Sequence, residues 1–285
     1  GVNIINTRYT VGGIPAKSQF SKDTTIQSII IKMLGDMGQI HIDPSTPNTR
    51  YKSQNLGTWS NTTDVDNFVY ECCHDTGYYG ATIGSYVTIN DGTYNKEWVI
   101  AGFDCEKNHK ASDGTIKDNG YGICLIPKTN LGSVIWSSDA DNYVDNGYYG
   151  SAMNKTILPA VATNLKKVLG DHLVQRNVLL SSRRDSDYLA DDYIWTTAYC
   201  TLMSTGQVTG TFASNKNKYD DGEANYKLPL FNYEKWSFDW WAWLRGLYGR
   251  YEASYNNVYC FYRDGSSTYF NSGYTGGLRP LIYIR

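Results

Sequence analysis

Residues 240–285 read WWAWLRGLYGRYEASYNNVYCFYRDGSSTYFNSGYTGGLRPLIYIR. Three runs in this segment, WWAWLRG, NNVYCFYRDG and GGLRPLIYIR, have the apolar and aromatic composition of β-strands. The residues between them are mostly Tyr, Ser, Asn and Gly, which are typical of turns and loops. The end of the chain therefore predicts a small β-sheet that carries many aromatic side chains close to its loops.

The middle run, 257–263, predicts two faces if it is a strand with a period of two. On that reading Val258, Cys260 and Tyr262 point into the core, while Tyr259 and Phe261 point outward or into a groove. Tyr offers a large contact area with few torsions to immobilise, and Ser, Gly and Asn offer adaptable hydrogen bonds, as in antibody paratopes. The alternative is a solvent-rimmed cluster of core aromatic residues, and composition alone does not separate the two.

A compositional bias in residues 244–285 favours the binding surface. This window of 42 residues has no Lys, Gln, Met or Trp and one Glu, Glu252, although these five types supply 40 of the 285 residues of the chain. About six would be expected in the window by simple proportion. They are the types that an AAC or AAT codon cannot reach when only its adenines are replaced. The bias is therefore the one expected if adenines had been replaced in AAC or AAT codons of this segment, although Glu252 departs from it.

The whole chain limits the functional classes. It has 285 residues, a net charge of -2 and 19% charged residues, so no basic stripe points to nucleic acid. It has no apolar run of about 18 residues, so we expect no membrane insertion, and no signal peptide is visible. The six cysteines form no CxxC pair, so we expect buried free thiols in preference to zinc or disulfides.

The chain divides at about residue 45. Residues 1–45 predict a connector or attachment segment, with a helix that starts near Asp23 and resembles the short connectors before phage fibre heads. Residues 46–285 predict one α+β domain. The runs SYVTI, EWVIAGFD, YGICLIPK and NVLLSS predict strands, residues 151–170 predict two helical pieces interrupted at Pro159, and residues 205–227 predict a long hairpin or loop.

No motif in the sequence predicts catalysis or metal binding. Cys72, Cys73 and His74 are adjacent, so they point to opposite faces of an extended chain, and no third partner is identifiable. The stretch SDADNYVDNG (138–147) lacks the Gly and Glu of an EF-hand loop, and SSRRDSD (181–187) is typical of a salt-bridged turn. We therefore expect no catalytic residue, no metal ligand and no cofactor.

The order of these motifs resembles that of C-type-lectin-fold variable proteins, which retroelements diversify in phages, archaeal viruses and some cells. The residues that carry the resemblance are WWAWLRG (240–246), the Tyr/Ser/Asn-rich block, RDG (263–265) and the closing GGLRPLIYIR. The resemblance covers roughly 55–285. It implies a C-type-lectin-like fold, related to that of formylglycine-generating enzymes, with short antiparallel sheets, two helices and long loops. The calcium motifs of sugar-binding animal lectins are absent.

The resemblance also implies a variable region at about 244–285 on a fixed scaffold that includes Trp240, Trp241, Trp243, Leu278 and Ile282. Its ligand-binding variable positions would be Leu247, Tyr248, Arg250, Tyr251, Ser254, Tyr255, Tyr259, Phe261, Ser267, Tyr269, Phe270, Ser272 and Tyr274.

Three functions remain open. The first is a non-catalytic receptor-binding protein, the head of a viral tail fibre or a cell-surface equivalent, whose partner is a host-surface protein or another macromolecule. Fibre heads are often trimeric, so an oligomer is compatible with this function. The second is an enzyme on the formylglycine-generating-enzyme-like fold that uses Cys260 or a metal. The third is a structural virion protein whose Tyr-rich face is buried between subunits.

Overall fold

The computed structural model describes residues 10–11, 14–15, 46–72, 81–111, 113–137, 146–184, 190–210, 227–233, 241–247, 257–262 and 266–285. They form a mixed fold of short sheets and few helices, which confirms the α+β class. In the predicted connector 1–45, the described residues form one antiparallel pair of two-residue strands. The helix predicted near Asp23 lies outside the described residues.

The described strands are short. In chain order they are β1 (Thr10–Val11), β2 (Ile14–Pro15), β3 (Asn55–Trp59), β4 (Tyr86–Ile89), β5 (Lys96–Phe103), β6 (Asn108–Lys110), β7 (Ile116–Asp118), β8 (Ile123–Pro127), β9 (Ser133–Ile135), β10 (Arg176–Arg184), β11 (Ala190–Ala198), β12 (Cys200–Leu202), β13 (Trp241–Leu247), β14 (Asn257–Tyr262), β15 (Ser267–Asn271), β16 (Thr275–Gly277) and β17 (Pro280–Ile284).

Two sheets organise the domain. The larger has the order β12-β17-β8-β5-β4-β3, and the smaller has the order β15-β14-β13-β16-β9. The closing strand β17 lies inside the larger sheet between β12 and β8, so the C-terminal residues join segments that are distant in sequence. The expectation of antiparallel sheets needs a correction, because β3 pairs with β4, and β13 with β16, in parallel. Strands β10 and β11 form a separate long hairpin.

Four α-helices with both ends described accompany the sheets: α1 (Thr62–Cys72), α2 (Leu158–Leu169), α3 (Thr205–Thr209) and α4 (Leu230–Tyr233). The described residues 146–150 are α-helical as well. The two predicted helical pieces are present as a π-helical turn, Met153–Ile157, followed by α2, but the change of helix type comes before Pro159, which lies in the first turn of α2. Helix α2 buries Val161, Leu165 and Val168 as its apolar spacing predicts, and it ends at Gly170, whose φ of 54° suits glycine.

Two of the helices were not predicted from the sequence. No helix was predicted at the position of α1, although Asn61 Oδ1 accepts a hydrogen bond from the Asp64 N–H as an N-cap does. Helix α3 lies in the predicted loop 205–227. It begins with a capping box in which Ser204 Oγ accepts from the Gln207 N–H and Gln207 Oε1 accepts from the Ser204 N–H. Both starts show a capping signal, and the helical spacing of Val65, Phe68 and Val69 in α1 is a second signal that could have indicated that helix.

A buried polar cluster joins β10, α3 and the turn after β5. Arg176 Nη1 lies 2.8 Å from Glu106 Oε2, and both side chains are almost fully buried. Gln207 donates to Glu106 Oε1 at 2.7 Å, and Arg176 also donates to Thr201 Oγ1 at 3.0 Å. Since each charged group has polar partners, the desolvation cost of this ion pair is partly offset.

The described cysteines Cys105, Cys124, Cys200 and Cys260 are free thiols, and the last three are buried, as expected. Cys73 lies outside the described residues.

Candidate ligand-binding surface

The register of the smaller sheet decides which aromatic side chains share a face. Trp241 on β13 lies opposite Tyr262 on β14, and Val258 on β14 lies opposite Phe270 on β15. Side chains at opposed positions project from the same face of a sheet, and the face alternates along each strand. One face therefore carries Trp241, Tyr262 and Phe270, and the other carries Phe261.

The rings on the first face are in contact. The Phe270 ring lies 4.8 Å from Trp241 and 6.2 Å from both Tyr262 and Tyr274, measured between centroids. We call these four residues the aromatic patch. Tyr274 is 60% exposed, and the other three are half-buried. The Tyr262–Phe270 pair is edge-to-face and the other two pairs are tilted. Aromatic contacts at these distances stabilise each pair by about 0.5–1.5 kcal/mol beyond the area that they bury, so the four rings hold one another in place.

Backbone groups hold the turn that presents Tyr274. Asn271 accepts hydrogen bonds from the N–H groups of Gly273 and Tyr274, each at 2.9 Å, through its side chain and its carbonyl respectively. The Ser272 carbonyl accepts from the Trp136 N–H at 2.9 Å. Most of these bonds involve only main-chain atoms, so the conformation of the turn does not depend on the side chain at position 274. This position can therefore vary at little structural cost.

Trp243 and Gly276 lie against the Trp241 ring of the patch. Trp243 is fully buried, and its Nε1–H donates to the Val134 carbonyl at 2.9 Å. Gly276 passes so close to the Trp241 and Trp243 rings that a Cβ atom at this position would overlap them. Trp243 lies in the core, as predicted, and Leu278 and Ile282 are buried as well.

The structure divides the thirteen predicted variable positions into three groups. Ser267, Tyr269 and Tyr274 are exposed and Phe270 is half-buried. The outward orientation expected for Leu247, Tyr259, Phe261 and Ser272 is wrong, because all four are buried. The positions that lie outside the described residues are Tyr248, Arg250, Tyr251, Ser254 and Tyr255.

The error at Phe261 has a physical reason. Strand β14 lies between β13 and β15, and both of its faces are covered, so Val258, Cys260 and Phe261 are all fully buried. The Phe261 ring packs edge-on against Phe231 of α4. A strand covered on both faces has no alternation of polar and apolar residues for a period of two to detect. The continuous run VYCFY was the signal that could have indicated this.

Sequence reasoning also misplaced two members of the patch. Tyr262 was expected in the core and Trp241 among fixed core residues, yet both are only half-buried and lie side by side across β13 and β14. The pairing register that brings them together is set by the whole sheet, so neither strand alone contains this information.

The Cys260 thiol is unsuited to nucleophilic chemistry. It lies between the opposed residues Trp243 and Thr268, and burial raises its pKa to about 12. A thiol with that pKa is protonated at neutral pH, whereas the thiolate is the reactive form. Across the described ranges, no group of three or more His, Cys, Asp and Glu side chains is placed to hold a metal ion.

Comparisons with known proteins add no relative. No protein-family model matches the chain, and no curated protein or solved structure matches it either. None of the helices in the described part of the chain has the length and apolar character required to cross a membrane.

Proposed function

We propose that this chain is a non-catalytic binding protein of the C-type-lectin-fold variable type, whose C-terminal surface is diversified by a retroelement to recognise varied macromolecular partners. Its place would be the head of a viral tail fibre or a cell surface. The observation that carries the proposal is the aromatic patch: four contacting aromatic side chains that are partly exposed on the smaller sheet.

The patch has the physical properties of a binding site. Large aromatic side chains that are already ordered lose little conformational entropy when a partner covers them. Residues that dominate binding energy in protein interfaces are enriched in Trp and Tyr. Thr268 lies opposite Cys260, on the same face as Phe270, and is half-buried. Its hydroxyl is a hydrogen-bonding group beside the aromatic rings, and an apolar centre with polar groups at its edge is the usual arrangement of a protein interface.

The proposal assigns the diversified role to exposed or half-exposed positions only. In the described part of 244–285 these include Tyr262, Ser267, Tyr269, Phe270 and Tyr274. Substitutions at exposed sites usually change stability by less than about 0.5 kcal/mol. A scaffold can therefore accept many residues there and still fold.

The decisive experiment is population sequencing of the gene together with its genomic neighbourhood. We expect a near-copy of the 3′ coding segment beside a reverse transcriptase, and codon differences at adenines that change position 274 while positions 258 and 261 stay constant. Invariant codons with no such copy would refute diversification.

A second measurement separates partner recognition from a structural role in the virion. If the patch is an interface between copies of this chain, Tyr274→Ser will shift the sedimentation coefficient toward the monomer. A receptor-binding surface predicts the same oligomeric state for the Tyr274→Ser variant and the parent, together with lost adsorption to the host cell.

A further inference from the structure

A cleft of about 480 Å³ lies apart from the smaller sheet, between α2 and the end of β11. The helical wall is one stripe of residues spaced three or four apart: Lys155, Leu158, Pro159, Ala162, Thr163 and Lys166. The opposite wall includes five consecutive residues, 196–200. Successive side chains of a strand point to opposite faces. A consecutive run therefore indicates that the cleft follows the edge of the strand and not one of its faces.

The hydrogen bonds of the β10–β11 hairpin show which main-chain groups lie on this edge. The Asn177 N–H on β10 donates to Asn119 Oδ1 at 2.7 Å, so it points away from β11, and the residue opposite Asn177 is Thr197. In an antiparallel pair, opposed residues turn their N–H and C=O groups either toward each other or away from each other. The Leu179 N–H, opposite Trp195, also donates outside the hairpin. The N–H and C=O groups of Thr197 and Trp195 therefore point away from β10.

This edge of β11 has no strand beside it in the described part of the chain, because the sheet there consists of β10 and β11. Natural proteins protect open edges with charged residues, proline or bulges. Residues 194–198 contain none of these, and Ile194 is 37% exposed. The edge is therefore able to accept a further strand.

Lysines lie at two points along this edge. Lys166 Nζ lies 3.9 Å from the ring centroid of Tyr199, and Lys117 Nζ lies 5.8 Å from that of Trp195. Trp195 and Tyr199 are four residues apart, which is about 13 Å along a strand. Among the described residues neither lysine has a carboxylate within ion-pair distance, and no Asp or Glu lines the cleft. The acidic residues of the strand itself, 191 and 192, precede this stretch.

We infer that an extended acidic peptide of a partner protein adds a third strand to this hairpin, along the β11 edge and beside α2. Main-chain hydrogen bonds to Thr197 and Trp195 supply the affinity for an extended chain. Lys117 and Lys166 favour carboxylates four residues apart in that chain, each lysine with its own carboxylate. The site uses α2 and β11, so it is separate from the aromatic patch and does not depend on diversification there.

The test is fluorescence anisotropy of the full chain with a fluorescein-labelled peptide of alternating Glu and Val, about seven residues long. The same peptide with Lys in place of Glu is the charge control. We expect the Glu peptide to bind at least about 10-fold more tightly than the Lys peptide, and the difference to shrink as ionic strength rises. Equal or stronger binding of the Lys peptide, or no binding of the Glu peptide, would overturn the inference.

Two variants at one position separate main-chain pairing from side-chain contact. Thr197→Pro removes an N–H that points away from β10, and proline is tolerated on the edge of a sheet for this reason. Thr197→Val is the matched control, because it loses the same hydroxyl, which accepts from Gln175 Nε2 at 2.9 Å, but keeps the N–H. We expect Thr197→Pro to weaken binding of the Glu peptide about 10-fold or more, and Thr197→Val to change it by less than about 2-fold. Equal affinities of the two variants would refute strand addition.

Charge-removing variants test the acidic character of the partner. Lys117→Met and Lys166→Met keep the apolar stem over the aromatic ring, and each should weaken binding of the Glu peptide about 3- to 10-fold. The matched control is Lys128→Met, because Lys128 Nζ lies 4.0 Å from the Tyr86 ring centroid but outside the cleft. Circular dichroism checks that every variant is folded. Unchanged binding in both lysine variants, or equal loss in the control, would refute the charge assignment.

Sedimentation of the same proteins tests a second copy of the chain as the occupant. We expect Thr197→Pro to leave the oligomeric state of the parent unchanged. If the parent self-associates and Thr197→Pro abolishes the association while Thr197→Val does not, the edge pairs with another copy and the inferred partner is wrong.

Discussion

Replacement of Phe261 by serine tests whether position 261 belongs to the core or to the diversified surface. Serine belongs to the set of residues that adenine replacement can reach, so a truly variable position must accept it. Phe261 is fully buried in β14 and packs against Phe231, so the structure predicts that it cannot. The variant loses an aromatic ring from a covered site, leaves a cavity and buries an additional hydroxyl.

The expected loss is large. Truncation of a buried Phe to Ala costs about 3–5 kcal/mol, and the serine hydroxyl adds the cost of burying a polar group. Whole domains are stable by only about 5–15 kcal/mol, so Phe261→Ser should remove a large part of the stability. Tyr274→Ser is the matched control from the same sheet, because Tyr274 is 60% exposed. It removes one aromatic contact, with Phe270, and should lower the free energy of unfolding by about 0.5–1.5 kcal/mol.

Urea denaturation followed by tryptophan fluorescence measures both variants, and an unchanged m-value shows that the same unfolding transition is compared. We expect the midpoint to fall far more for Phe261→Ser than for Tyr274→Ser. If the two midpoints fall equally, or if Phe261→Ser leaves the midpoint unchanged, the division of this segment into buried scaffold and exposed variable positions is wrong.

Three further changes test the packing and the buried charges. Gly276→Ala should destabilise the fold by about 1–3 kcal/mol through overlap with the neighbouring indole rings, whereas Gly132→Ala, where a Cβ meets no atom within 4 Å, should be neutral in thermal denaturation. Burial raises the pKa of Cys260 to about 12 from an ordinary 9.0, so its thiol ionises first in the unfolded chain. The free energy of unfolding should therefore fall by about 1.4 kcal/mol per pH unit between these values. Cys260→Ala should remove this part of the pH dependence in urea titrations. Glu106→Gln leaves the buried Arg176 without its carboxylate at 2.8 Å and should cost about 3–5 kcal/mol, and replacing both residues by apolar ones should recover part of the loss in the same assay.

Local sequence patterns predicted the helix and the strands whose apolar spacing and end residues lie within the element itself. The stripe Val161, Leu165 and Val168, with Pro159 before it and Gly170 after it, specified α2 and its boundaries. The apolar runs specified β5, β8 and β17 in the same way. Helix α1 was missed although Val65, Phe68 and Val69 have helical spacing and pack into the core, and although Asn61 caps its start.

The pairing of strands could not be predicted in this way. The position of β17 between β12 and β8, and the parallel contact of β16 with β13, join segments far apart in the chain. Register, and with it the face on which Trp241 or Tyr262 lies, follows from those distant contacts. The aromatic patch is therefore a property of the sheet, although its residue types were visible in the sequence.

The near-absence of Lys, Gln, Met, Trp and Glu from 244–285 has two explanations, and the burial of each position decides which one applies. Lys, Gln and Glu are rare in any strand covered on both faces, so their absence from β14 and β17 follows from the fold alone. Only at exposed positions, such as Tyr269 and Tyr274, does their absence bear on diversification, because charged side chains would be accepted there. The proposal therefore predicts a contrast between two codons of the same segment in one gene population. The codon for Tyr274 varies and the codon for Phe261 does not, although adenine replacement in a template could reach both.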